Sequence, residues 1–345
     1  MDGGLQRVIV EASIKIGVVF GVIMTTIAYM TWVERRVSAW IQDRRGPNRV
    51  GPFGLLQPLA DGIKFMFKEA IVPAQAHRAI YLLAPAILFV PAMITFSVVP
   101  FGPPIRAFGF EIPLQIAAVD NGVLIILAFS SMSVYGIALA GWASNNKYSL
   151  MGGLRSSAQM ISYELAMGIA LVGVLMSAGS LRLTDIVAYQ AAHGWNVLWQ
   201  LPGFLIFMTA AFAETNRLPF DLPEAETELV AGYHTEYSGM RFSMFYMAEY
   251  ANMITASALA ATLYFGGYHV PGLHLLRLSE TLAAIVQVLA FALKVGFFLF
   301  VYVWVRWTLP RFRYDQLMNL GWKMLLPAGL VHLMWVAFII LMGWA

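Results

Sequence analysis

"VLAFALKVGFFLF" (288–300) is thirteen residues with a single charge, Lys294. With its flanks, 281–304, it reaches the ~20 mostly apolar residues a transmembrane helix needs. Seven further segments read the same way: 14–33, 79–100, 117–140, 156–178, 195–213, 242–265 and 322–342. The fifth of the eight in chain order, 195–213, is interrupted by Pro202 and Gly203. The reading is an all-α, polytopic integral membrane protein with about eight transmembrane helices, in one membrane domain over 1–345. Composition agrees. The 345 residues are 59% hydrophobic and 12% charged, with a mean hydropathy of +0.70. Soluble domains carry roughly 25% charge. No signal-peptide pattern precedes the first segment, so it is expected to remain as an anchor.

The chain has no cysteine. Disulfides, cysteine-ligated iron–sulfur clusters and thiolate catalysis are therefore excluded in this chain. The six histidines, His77, His193, His234, His269, His274 and His332, do not pair along one apolar helix. A two-haem membrane cytochrome is not indicated, and no metal or covalently bound cofactor is expected.

Lys and Arg crowd one set of loops, from Arg35, Arg36, Arg44 and Arg45 through Arg311 and Arg313. The positive-inside rule makes that side cytoplasmic and puts both termini outside. In an organelle the same side would be the matrix. The first cytoplasmic loop spans 34–78. Within it, "GLLQPLADGIKFMFKE" (54–69) carries Leu56, Leu59, Ile63 and Phe67 at helical spacing, with Asp61, Lys64 and Lys68 on a polar stripe. Such a helix lies on the membrane surface. It serves either as a plain anchor or as one wall of a lateral opening for a lipid-soluble ligand. The preceding "ERRVSAWIQDRRGPNRVGPFG" (34–54) turns at Gly46-Pro47 and Gly51-Pro52. It has no GxxxxGK[ST] phosphate loop, and it abuts a span, so nucleic acid is not an expected partner.

Ionisable groups inside spans cost several kcal/mol by most scales. Glu164, Glu249 and Lys294 fall there. They read as register-fixing salt bridges or as a proton path. The acidic loop 214–241 is the other anomaly. "ETNRLPFDLPEAETE" (214–228) holds Glu214, Asp221, Glu224, Glu226 and Glu228 in a chain with only 19 acids. Pro219 and Pro223 stiffen it, and Leu218, Phe220 and Leu222 interleave its charges. A merely solvated loop needs neither feature.

The segments "ERRVSAWIQDRRGPNRVGPFGLLQPLADGIKFMFKE" and "AETNRLPFDLPEAETELVAGYHTEYSGMRF" together resemble the H-type membrane component of bacterial NADH:quinone oxidoreductase, respiratory complex I, and the mitochondrial NADH dehydrogenase family that is its counterpart. The similarity extends over essentially the whole chain, including "NNKYSLMGGLRSSAQMISYE". Membrane-bound hydrogenase subunits share weaker versions. The resemblance implies a bacterial inner-membrane or mitochondrial inner-membrane subunit that is not catalytic alone. It would border a quinone cavity and its membrane entrance. By motif, Glu34, Arg35, Arg36, Asp61, Lys64, Arg217 and Asp221 would line the quinone passage. Glu164, Glu214, Glu224, Glu226, Glu228 and Glu249 would form the coupling and proton route. Lys294 is assigned to that route by span alone. Quinone would be the substrate. NADH, FMN and iron–sulfur clusters would belong to hydrophilic partner subunits on the cytoplasmic side. Small membrane subunits, antiporter-like subunits and lipid would lie laterally. An independent ion transporter, a structural anchor and a hydrogenase subunit are the competing readings.

Overall fold

The computed structural model describes residues 2–107, 110–222, 230–276 and 278–343. Glu224, Glu226 and Glu228 lie outside the described residues. The architecture is a bundle of long helices: α1 (Asp2–Ile41), α3 (Arg78–Ile94), α4 (Gly122–Ala143), α5 (Lys147–Ala178), α7 (Leu201–Glu214), α8 (Gly239–Tyr264), α9 (Glu280–Thr308) and α11 (Leu326–Leu341). Shorter helices α2 (Gln57–Phe67), α6 (Leu183–His193) and α10 (Tyr314–Asn319) lie between them. A two-stranded antiparallel hairpin joins β1 (Ile105–Ala107) to β2 (Phe110–Ile112).

Among the described residues, six helices are long and apolar enough to cross a membrane. The other two expected spans deviate for local reasons. Pro202 lies in the first turn of α7, where its missing N–H costs nothing, so the helix starts there and runs only 14 residues. Helix α8 has 26 residues, about 39 Å, but carries Arg241 and Glu249. The hairpin and α6 were not expected from the sequence. Both are short elements between spans, with too few residues to show a period.

Side-chain caps set several ends. Asn146 accepts the Tyr148 N–H at 2.9 Å and starts α5, which ends at left-handed Gly179. Ser279 starts α9 by accepting the Leu282 N–H. Helix α3 packs on α4 and α8, and α5 on α4, α7 and α11. Small residues permit this closeness, as bilayer-spanning helices require. A Cβ at Gly141 would strike the Ser149 carbonyl of the neighbouring helix. Helix α1 has 40 residues, about 60 Å, and rests on α2, α8 and α9 with much of its surface open.

The charged loops share one end of the bundle. His77 N–H bonds Ala143 O at 3.0 Å, Asn146 bonds Glu236 at 2.7 Å, and Phe312 N–H bonds Pro219 O at 3.0 Å. Helix α2 lies at that end. It is shorter than expected, because Pro58 fixes its first turn and extended Lys68 ends it. Its stripe of Leu59, Ile63 and Phe67 faces outward and is not covered by the rest of the chain.

Candidate functional site

Helix α1 runs past the bundle edge and brings Glu34 to the charged end. The sharp turn after α7, through Asn216 at φ 50°, brings Arg217 beside it. Arg217 is 4% exposed and Glu34 6%. The Arg217 Nη1 lies 3.3 Å from both Glu34 carboxylate oxygens. Its Nε pairs with Glu249 of α8, and its guanidinium lies 4.4 Å from the Tyr250 ring centroid. The Tyr250 hydroxyl donates to Glu34 Oε2 at 2.6 Å. Arg306, at the end of α9, closes the set on Glu34 Oε1. Two carboxylates thus meet two guanidiniums, which is how buried charge is tolerated. Burial opposes the charge on Arg217, but Glu249, Tyr250 and Glu34 together hold its pKa well above the usual arginine value.

The loop that leaves this cluster is tied down before the acidic run. Gln159 of α5 donates to Ala213 O and Phe220 O, each at 2.8 Å. Asp221 accepts from Arg311 at 3.1 Å. Beyond the run, Tyr81 donates to Glu236 O at 2.7 Å and stacks on Tyr237 at 4.1 Å. His234 sits in an aromatic nest of Tyr233, Phe242 and Tyr246.

A cavity of about 500 Å³ opens beside the cluster. Glu34, Tyr250 and Arg306 form its buried end, with Ile27 and Thr31 along α1. Asp61 lies on the opposite wall, held by Arg35 at 2.7 Å and Gln57 at 3.1 Å, with Lys64 at 3.7 Å. Met24, Met66, Met240 and Met247 line the apolar part. Methionine adapts to irregular flexible ligands. Such a space takes a polar head at one end and an apolar chain at the other. The Arg36 guanidinium instead donates to Pro47 O at 3.0 Å and braces the arginine-rich turn. That turn depends on Gly54 at φ +75°, where any side chain would collide with the Pro47 carbonyl.

Two smaller spaces, about 20 Å³ each, flank Glu214. One is lined by Glu249, Asn252, Asn216 and Tyr233, the other by Ser130, Asn252 and Thr255. Each has room for about one water. Glu249 therefore touches Arg217 on one side and shares a water-sized space with Glu214 on the other. Glu164, half-buried on α5, is close enough for its charge to act on Glu214.

Lys294 stands apart. Its ammonium donates to Phe265 O, Gly267 O and His269 O at 2.7, 2.8 and 2.9 Å, and lies 5.1 Å from the Trp195 ring centroid. That is the far end of α8, about 18 Å along α9 from Arg306. Tyr250, Arg306, Arg311 and Gln159 were not singled out from the sequence. Arg306 and Arg311 read as ordinary positive-inside residues. Tyr250 had one usable signal, its place beside Glu249.

Comparison with known proteins decides the family. A family model described as NADH dehydrogenase matches residues 14–337. This chain belongs to the NADH dehydrogenase family. A Leptospira biflexa protein, named as the H component of NADH-quinone oxidoreductase, is 54% identical over 335 residues, 94% of this chain and 93% of its own. A Geobacter metallireducens protein, named as an H component of the same oxidoreductase, is 52% identical over 328 residues, covering 95% and 96%. NADH-quinone oxidoreductase subunit 8 of Rhodothermus marinus is 54% identical over 329 residues, covering 92% and 94%. The chain is a multi-pass membrane protein of the NADH dehydrogenase family, and its relatives are named as single subunits of an oxidoreductase. The matched residues include every candidate position from Glu34 to Lys294.

His234 gives the first prediction. It is 5% exposed, and burial pushes its pKa down to about 4. An unfolded histidine titrates near 6.5, so the unfolded state binds the proton first as pH falls. The neutral form contributes its full stability above about 6.5. Up to about 3 kcal/mol is lost between about 6.5 and 4. Thermal melts across that window should flatten in His234→Phe, which keeps the aromatic packing. An unchanged pH slope in the variant would contradict the assignment.

Proposed function

We propose that this chain is the membrane subunit of NADH:quinone oxidoreductase that houses the quinone head group and passes its charge change to a carboxylate route. The carrying observation is the shared Arg217. One guanidinium contacts Glu34 at the cavity end and Glu249 at the edge of the Glu214 space. A quinone head would occupy the polar end, near Glu34, Tyr250 and Arg306. Its isoprenoid tail would lie against the methionines, with α2 as the membrane-side wall. Arg35, Arg36, Asp61, Lys64 and Asp221 would shape and brace the passage. Glu224, Glu226 and Glu228 would stand between quinone and proton route, on a segment whose two flanks are anchored.

Electrons would come from an iron–sulfur cluster of a hydrophilic partner, with NADH and FMN further off. That partner would sit on the cytoplasmic side of the membrane, and both termini of this chain on the other. Reduction of the quinone draws protons into the cavity. A unit charge at ~5 Å, with an effective dielectric near ~20, is worth roughly 3 kcal/mol. That equals about two pKa units, enough to switch a carboxylate poised near neutrality. The Glu34–Arg217–Glu249 contacts would carry that change to Glu214, and Glu164 would pass it toward antiporter-like subunits. Lys294 has no place in this series of contacts.

Glu214→Gln tests the coupling. NADH-linked quinone reduction and proton pumping should fall about a hundredfold, the low end of what loss of a positioned acid–base group costs. NADH oxidation by an artificial acceptor should persist. Normal quinone reduction with normal pumping would defeat the proposal.

A further inference from the structure

One buried hydroxyl has no place in the coupling route. Tyr302 of α9 is 1% exposed. Its hydroxyl has no hydrogen-bond partner among the described residues. An unpaired buried hydroxyl is destabilising, so its presence calls for a reason. Two helices fix where it stands. The Tyr302 ring packs on Phe212 of α7, with centroids 4.1 Å apart. Thr215 follows Phe212 by three residues, about one turn further along the same face. On α9, Arg306 follows Tyr302 by four residues and pairs with Glu34. Tyr302 therefore lies one turn below the buried charge cluster, against the end of α7 that carries Glu214. Thr215, Glu214 and Arg217 are close enough to act on its hydroxyl.

Thr215 links this position to the proton route. It lines both water-sized spaces beside Glu214. Its hydroxyl donates to Ala211 O at 3.0 Å, which leaves its oxygen able to accept.

We propose that Tyr302 is a positioning residue for Glu214, acting through Thr215. The Tyr302 O–H donates to Thr215 Oγ1. Thr215 in turn donates to a water in the adjoining space, and that water donates to the ionised Glu214 carboxylate. Every hydrogen bond in the line points toward the negative charge, so the line favours the ionised form. Once Glu214 takes a proton, the line loses its anion and Thr215 returns its hydrogen to Ala211 O. The inference rests on the proposed coupling role of Glu214. Glu214 is also faced by Ser130 of α4, Glu164 of α5, Glu249 and Asn252 of α8, and Tyr233. The test leaves all of these in place.

Tyr302→Phe in the assembled complex removes the hydroxyl and keeps the ring on Phe212. The readout is the infrared carbonyl band of protonated Glu214, identified as the band that Glu214→Gln abolishes. Its titration midpoint should move up by about one pH unit in Tyr302→Phe, because the ionised form has lost its support. The acid limb of proton pumping should move with it. Thr215→Val should produce the same shift, and the double variant no more than either. Complex content in Tyr302→Phe should stay at the wild-type level, because the lost hydroxyl had no partner in the folded chain. An unchanged midpoint in Tyr302→Phe overturns the proposal, with or without a fall in complex content. Additive shifts in the double variant overturn the line through Thr215. Normal pumping in Glu214→Gln would instead overturn the coupling role on which the inference rests.

Discussion

Replacing Arg217 with leucine should leave almost no assembled, quinone-reducing complex. Leucine keeps an apolar side chain of similar volume at the site, so packing is not the main loss. The loss is electrostatic. Glu34 and Glu249 would face each other across a buried space without the guanidinium that now contacts both. Removing one partner of a buried pair costs about 3–5 kcal/mol, because the remaining charge is stranded. Against a typical total stability of about 5–15 kcal/mol, that is a large fraction. Native-gel quantification of complex in membranes, with NADH-linked quinone reduction per milligram, measures it. The quadruple variant Arg217→Leu, Glu34→Leu, Glu249→Leu, Arg306→Leu removes every charge of the cluster, including the Arg306 partner of Glu34. It should recover much of the assembly while remaining inactive. Wild-type levels of active complex in Arg217→Leu alone would show that the cluster carries neither stability nor function.

Lys294→Met should lower assembly as well, but with the opposite functional signature. The ammonium satisfies three backbone carbonyls that follow the end of α8. Methionine fills the volume and strands those acceptors. Each unmade buried hydrogen bond costs about 1–3 kcal/mol. Complex content should fall several-fold and its melting temperature should drop. Turnover and pumping per remaining complex should stay near normal, because Lys294 is remote from Arg217 and Glu214. Normal assembly with lost pumping would return Lys294 to the proton route.

The same residue shows where sequence reading reached its limit. A lysine in the middle of "VLAFALKVGFFLF" is costly in lipid, so a partner had to exist. Sequence offers carboxylates as obvious partners, and Glu164 and Glu249 were available. Main-chain carbonyls are present at every residue and give no sequence signal. Only the fold shows that the turn after α8 points three of them at one ammonium. Arg306 is the converse case. Its position at a span end satisfies the positive-inside rule, and nothing in the sequence separates a lipid-facing arginine from one turned onto Glu34.

Helix content, the positions of the apolar segments and the anomalous charges at Glu164, Glu214, Glu249 and Lys294 were set by the sequence alone. The bilayer imposes that legibility, because helix length and charge avoidance are one-dimensional constraints. Pro202 was legible as an interruption of the 195–213 segment, but only the structure shows that the helix starts at Leu201. Tertiary structure decided which charges meet. Glu34 and Arg217 are 183 residues apart and Glu34 and Arg306 are 272 apart. Such pairings depend on how α1, α8 and α9 cross, and that is fixed by the close packing of small side chains across many helices at once. The single guanidinium joining the cavity of about 500 Å³ to a water-sized one is a product of that packing.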